Sequence, residues 1–174
     1  MEKIRVGISS CLMGINVRYD GGHKLDSFLI DVLGKNFELV PVCPEAECGL
    51  GVPRNHMHLE GDPDHPRLIV TDTGEDKTLL LEQWAQEKVR HLENEKICGF
   101  IFKSSSPSCG IYKVKIYRGK NRPAEEGRGL FAAIFIGHFP TTPVADEVSL
   151  KETDFREKFM ERVFEYARQR KISS

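Results

Sequence analysis

"IRVGISSC", residues 4–11, is an apolar run carrying Ile4, Val6 and Ile8 that breaks into two serines and a cysteine. Its length and β-branched content read as a strand buried on both faces, with the polar break as its carboxyl end. "FELVPVC" (37–43), "RLIV" (67–70) and "GFIFK" (99–103) repeat the pattern. Helical patterns lie between these runs. From Leu79 to Glu95, the residues Leu81, Trp84, Ala85, Val89 and Leu92 share one stripe, with Thr78 as the expected cap. "LDSFLIDVLG" (25–34) is a shorter helix stopped by Gly34, and "LFAAIFIGHF" (130–139) reads as a third. At the end of the chain Phe155, Phe159 and Val163 recur every four residues behind a Thr153 or Asp154 cap. Strands alternating with helices predict an α/β domain, with a mainly parallel, Rossmann-like sheet flanked by helices. In such a sheet the site lies at the carboxyl ends of the strands.

The 174 residues suffice for one well-packed core. The expected division is a domain over residues 1–150, with 151–174 as a C-terminal helix lying on the domain or on a partner. Lys and Arg number 25 against 26 Asp and Glu, so the global charge gives no reason to expect nucleic acid or a membrane surface as partner. No run of about 18 apolar residues is present, and a cytoplasmic protein is expected. From Ser104 to Gly129 the chain is rich in Ser, Gly, Pro and Lys, broken by a possible hairpin arm "YKVKIYRG" (112–119). A long irregular stretch of this kind inside a compact domain is more often functional than not.

Five cysteines, odd in number and irregularly spaced, do not read as a disulfide framework. Three of them share a placement: Cys11, Cys43 and Cys109 each follow an expected strand, the last after a serine-rich turn. Each also has proline or glycine nearby in sequence, which keeps backbone clear of a sulfur and leaves N–H groups exposed. The three thiols can therefore converge at one edge of the sheet. Spacing alone leaves a second reading open, in which these are small apolar residues at strand ends, because the separations match no compact zinc or ferredoxin pattern. Cys98, in "KICGF", reads as core. His56, His58 and His65 lie among acids in "NHMHLEGDPDHP", but no third ligand has metal spacing, so they read as separate loop or edge residues. "GLGVPR" (49–54) lacks the full dinucleotide fingerprint and is assigned no cofactor.

"SSCLMGINVRYDGG" (9–22), "PVCPEAECGLGVPR" (41–54) and "SSSPSCG" (104–110), in this order, resemble the thiouracil desulfidase family. The resemblance runs from the first strand to about residue 150. Beyond it, "FREKFMERVF" resembles the segment that leads, in longer relatives, into a second domain, expected to be absent here. The resemblance implies a 4Fe-4S cluster on Cys11, Cys43 and Cys109 with one iron left open, and replacement of C=S by C=O on a small thiolated base by a monomer or homodimer. It also implies that Glu45 is a general acid/base and that Ser106 orients water or substrate. On the residues alone, Glu45 reads better as a helix-terminus carboxylate and Ser106 as a turn serine. Arg18, Tyr19 and Asp20 in "RYDGG", with Arg54, either line the substrate pocket or, for Arg18 and Asp20, form an ion pair that holds the Cys11 turn. Glu47 reads as solvated or as a local cap. Two other classes stay open: a non-catalytic iron-sulfur or zinc protein sensing redox state or metal, with Cys48 or another thiol as fourth ligand, and a cluster-free enzyme using one cysteine as nucleophile. If the implied ligand set is right, Cys11→Ala, Cys43→Ala and Cys109→Ala each lose bound iron and sulfide after anaerobic purification. Cys48→Ala and Cys98→Ala keep both.

Overall fold

The structure, a computed structural model, describes residues 3–119 and 123–172. β1 (Ile4–Ser9) leads through α1 (Ser27–Leu33) to β2 (Phe37–Val42), and α1 is capped by Asp26, which accepts the Leu29 N–H at 3.0 Å. A hairpin of β3 (Met57–Asp62) and β4 (His65–Val70) comes next, then α2 (Thr78–Asn94) and β5 (Phe100–Phe102). β6 (Val114–Tyr117), β7 (Pro123–Gly127), α3 (Leu130–His138), β8 (Val144–Asp146) and α4 (Thr153–Gln169) complete the chain.

The first sheet has the order β2-β1-β5-β8 and all its pairs are parallel. This is the expected α/β fold, with helices against both faces. On one face α1 and α4 bury Leu29, Leu33, Phe159 and Val163 against Ile4, Val6, Ile8 and Ile101. On the other, α2 and α3 bury Leu81, Val89, Phe131 and Phe135 over Phe100 and Phe102, whose rings stack at 4.3 Å. β1 and β5 are neighbours, yet the chain leaves β1 toward β2 on one side and reaches β8 from β5 on the other. The crevice at their carboxyl ends is therefore the topological switch point, where open sheets bind ligands.

A second sheet, ordered β4-β3-β6-β7, was not anticipated. "RLIV" belongs to it, paired antiparallel with β3, rather than to the parallel sheet. Burial in β3 alternates along the strand, as a half-buried hairpin requires, and Leu59, Leu68 and Ile116 join the same core as α2 and α3. The stretch from Ser104 to Gly129 is thus irregular only in part, since it holds β6 and β7; its residues 120–122 lie outside the described residues. Thr78 does not cap α2 with its side chain. Asp76 accepts the Thr78 N–H at 2.9 Å, while the Thr78 hydroxyl accepts the Leu68 N–H at 2.8 Å and so ties the helix to β4. Among the described residues no helix is long and apolar enough to cross a membrane.

Gly7 lets β5 pack against β1: a Cβ there would lie 2.3 Å from Cδ2 of the buried Phe100 ring. Gly7→Ala is expected to cost about 1–3 kcal/mol, read as a lower urea midpoint with an unchanged slope. An unchanged midpoint would show that the ring can move aside.

Candidate active site

The parallel register sets the site. Ser9 pairs with Val42 at the ends of β1 and β2, and Ile8 pairs with Ile101, so three strands finish at one edge. Cys11 sits in the 3-10 turn Ser10–Met13 after β1, which Gly14 ends with φ 80°. Its carbonyl accepts the Lys24 N–H at 2.9 Å, closing the loop 14–24 back over the turn. Cys43 follows β2 and enters a helical turn that continues over Ala46–Leu50, where the Glu47 carboxylate accepts the Cys43 N–H at 2.6 Å. Glu47 is thus a local cap, and its other oxygen accepts from Lys88 of α2 at 2.9 Å. Cys109 lies in the loop between β5 and β6. Ser106 Oγ accepts the N–H groups of Ser108 (3.2 Å) and Cys109 (3.0 Å), and the carbonyls of Pro107, Ser108 and Gly110 accept from Leu130, Ala132 and Gly129 at the start of α3. The loop so satisfies the free amides of a helix terminus. It lies so close that a Cβ on Gly129 would be 2.5 Å from the Ser108 carbonyl carbon.

All three cysteines are free thiols that line one cavity of about 340 Å³. Burial pushes the Cys11 thiol up to about 11, against the pull of Lys103, and it pushes Cys43 and Cys109 up as well. Among the described residues no three His, Cys, Asp or Glu side chains are gathered as they would be around a single metal ion. Cys98 is fully buried in the core beneath α4. Cys48 is half-buried outside the cavity lining, its thiol donating to the Glu45 carbonyl at 3.4 Å.

Glu45 lines the cavity and makes no capping bond. Its Oε2 accepts from the Ser108 hydroxyl at 3.0 Å, and its Oε1 lies 3.5 Å from Arg54 Nε. Ser108 had not been singled out in the sequence; its partner lies 63 residues away and nothing in "SPSCG" marks it. Ser106 also lines the cavity and is the turn serine as well. Since its oxygen already accepts two amides and Ser108 spends its proton on Glu45, Ser106 donates to Ser108 Oγ at 3.1 Å. Arg18, Tyr19 and Arg54 reach the cavity, held together where the Arg54 N–H donates to the Tyr19 carbonyl at 2.8 Å. Asp20 does not line it. It accepts the Gly22 N–H at 2.9 Å and faces Arg18 Nε at 3.9 Å, which is the ion-pair reading. Arg18 Nε and Arg54 Nε are buried without a hydrogen bond, each facing a carboxylate, Asp20 at 3.9 Å and Glu45 at 3.5 Å.

Sequence reasoning also missed Lys103 and Glu147. Lys103 lines the cavity and lies 2.6 Å from Glu147 Oε1, and Glu147 accepts from the Ser104 N–H (2.8 Å) and hydroxyl (2.6 Å). The Lys103 N–H donates to Ser9 Oγ at 2.9 Å, locking the end of β5 to that of β1. Lys103 closes the quoted strand "GFIFK", a signal that a cation ends at the ligand edge.

The fold and the site define a class: α/β proteins with a cysteine-lined cleft at the switch point of a parallel sheet. Within that class a family profile described as 2-thiouracil desulfurase matches residues 6–147, and the chain belongs to that family. An uncharacterized protein of Bacillus subtilis (strain 168), YbbK, is 32% identical over 108 residues, which span 59% of this chain and 71% of that protein. The solved structure of a 4Fe-4S-dependent thiouracil desulfidase, TudS, is 31% identical and matches with a TM-score of 0.69 over 91% of this chain and 99% of that one.

Burial pushes the Glu147 carboxyl up, and the bonds from Lys103 and Ser104 more than reverse this, holding it below the ordinary carboxyl value of 4.5. A depressed carboxyl stabilises the fold above that ordinary value and loses its contribution as the pH falls through the folded one. Glu147→Gln is expected to lower stability by about 1–3 kcal/mol at neutral pH. In urea titrations the gap to wild type should close on acidification; a gap independent of pH would assign the cost to packing.

Proposed function

We propose that the protein removes sulfur from a thiolated pyrimidine such as 2-thiouracil, with Cys11, Cys43 and Cys109 holding a 4Fe-4S cluster that keeps one iron free of protein ligands. The observation that carries this is the meeting of three free thiols from three strand ends at one cavity, in a chain 31% identical to TudS. The donors suit the group. Thiolates are the ligands of such clusters, and coordination deprotonates a thiol outright, reversing what burial does to these three. Cluster ligands stand farther apart than those of one ion, and the position of Cys48 outside the lining favours a set of three. When bound, the cluster supplies a Lewis-acidic iron that polarises the C=S bond and takes the sulfur.

The net change is hydrolytic: water gives its oxygen to the ring carbon and its two protons leave with the sulfur as hydrogen sulfide. Glu45 takes the first proton from water and returns it. Oε1 is the oxygen for this task, because Oε2 is held by Ser108 whereas Arg54 Nε attracts Oε1 without a hydrogen bond. Ser106 acts one step behind, fixing the Ser108 hydroxyl toward Glu45. Arg18 offers its guanidinium to the base carbonyl, Tyr19 offers a ring face, and Asp20 holds the loop that carries both. The substrate is a small free base, and a cytoplasmic monomer or homodimer suffices for the chemistry. A closed sensor site is less well supported, because the Cys48 thiol faces the Glu45 carbonyl instead of the cavity.

Protein purified without oxygen is expected to be brown, to carry iron and sulfide in equal amounts, and to release sulfide from 2-thiouracil. A colourless, zinc-loaded preparation would overturn the reading. Glu45→Gln should keep iron and sulfide while kcat falls about 10²–10⁴-fold; normal turnover would remove Glu45 from the mechanism.

A further inference from the structure

His56 lines the cavity and begins a chain of hydrogen bonds that leads away from it. Its Nδ1 lies 3.2 Å from Thr71 Oγ1, and the same oxygen lies 2.9 Å from Nδ1 of His58. His58 Nε2 lies 3.2 Å from Glu60 Oε2, and Glu60 Oε1 accepts from Arg67 at 3.0 Å. Tyr19 packs edge-on against the His56 ring at 5.2 Å and Tyr117 against His58 at 5.5 Å, which limits rotation of both imidazoles.

A carboxylate only accepts, so His58 keeps a proton on Nε2 toward Glu60, and in its neutral form it presents a lone pair at Nδ1. The Thr71 hydroxyl has one proton, and it goes to that lone pair. Thr71 Oγ1 can then only accept from His56, which places the His56 proton on Nδ1. His56 Nε2 is left as a lone pair, and no group among the described residues bonds it.

We propose that His56 is a substrate-contacting residue, held in its Nδ1–H tautomer by Thr71, His58 and Glu60 so that Nε2 accepts a ring N–H of the thiolated base. The inference rests on the desulfidase reading and names a specificity contact within that site. The cationic side chains of the cavity, Arg18, Lys24, Arg54 and Lys103, are donors, and its carboxylate, Glu45, is assigned to the attacking water, whereas a thiolated pyrimidine presents N–H donors beside its carbonyl and thione. An acceptor opposite them is what distinguishes this base from one alkylated on nitrogen. Thr71, His58 and Glu60 are positioning residues.

Two measurements on the anaerobically prepared, cluster-loaded protein test this. Long-range 1H–15N correlation spectra should show His56 protonated on Nδ1 and His58 on Nε2. Uracil, the product, carries the same ring N–H groups and should shift the His56 Nε2 resonance. Thr71→Val should abolish the single tautomer at His56. In turnover of 2-thiouracil, His56→Ala should raise KM about 3–10-fold, with the smaller effect on kcat, and Thr71→Val should do the same more weakly. One of the 1-methyl and 3-methyl derivatives should lose a similar factor on wild type and little more on His56→Ala. A proton on Nε2 of His56, a resonance unmoved by uracil, or an unchanged KM in His56→Ala would each overturn the proposal. Wild-type protein that releases no sulfide but whose His56 resonance responds to uracil would count against the desulfidase reading and support the base contact.

Discussion

The missing side chain at Gly7 allows the Phe100 ring to lie across β1, and the placement of the site depends on that contact. It brings β5 against β1 on the side opposite β2, so a single strand is paired in parallel on both edges. Parallel pairing is what puts three carboxyl ends at one edge. In an antiparallel arrangement the residues after β1 and β5 would leave the sheet at opposite ends, and Cys11 and Cys109 would be separated by the length of a strand. The two hydrophobic clusters meet at this edge: Cys11 belongs to the one beneath α1 and α4, and Cys109 to the one beneath α2 and α3. The cleft lies where neither core can close.

Burial at that edge would be unfavourable for so many polar groups if each were left alone. Instead each loop is secured by a carboxylate or hydroxyl. Glu47 holds the start of the Cys43 turn and reaches Lys88, Ser106 gathers the amides ahead of Cys109, and Glu147 pairs Lys103 while bonding Ser104. These bonds do more for position than for net stability, since a buried pair gains little over apolar packing yet is expensive to break. The exceptions are Arg18 Nε and Arg54 Nε, left without a hydrogen bond beside three thiols.

The parts of this arrangement legible in the sequence are those set by local periodicity. Apolar runs ending in small, polar or cysteine residues marked the strand ends, and the stripe from Leu81 to Leu92 marked α2, with only Trp84 falling partly outside the core, against Phe131. "RLIV" was misplaced because a short apolar run does not say which sheet it joins; that is decided by the hairpin with β3, through pairs such as Leu59 with Leu68. The family motifs marked Glu45 and the three thiols, while Ser108, Lys103 and Glu147 gain their meaning only from partners far along the chain. Thr78 looked like a cap by residue type, and Asp76, two residues earlier, proved to be the acceptor.

The crowded stretch from Cys43 to Cys48 resolves by the same geometric argument. About 100° separates successive residues of a helical turn, so Glu45 and Glu47, two apart, leave it on nearly opposite sides. One faces the cavity and Ser108; the other turns back to the Cys43 amide and to α2. Cys48, three residues beyond Glu45, directs its thiol at the Glu45 carbonyl and so seals the turn. The turn therefore presents one thiol and one carboxylate to the cavity and spends the other thiol and the other carboxylate on holding them there.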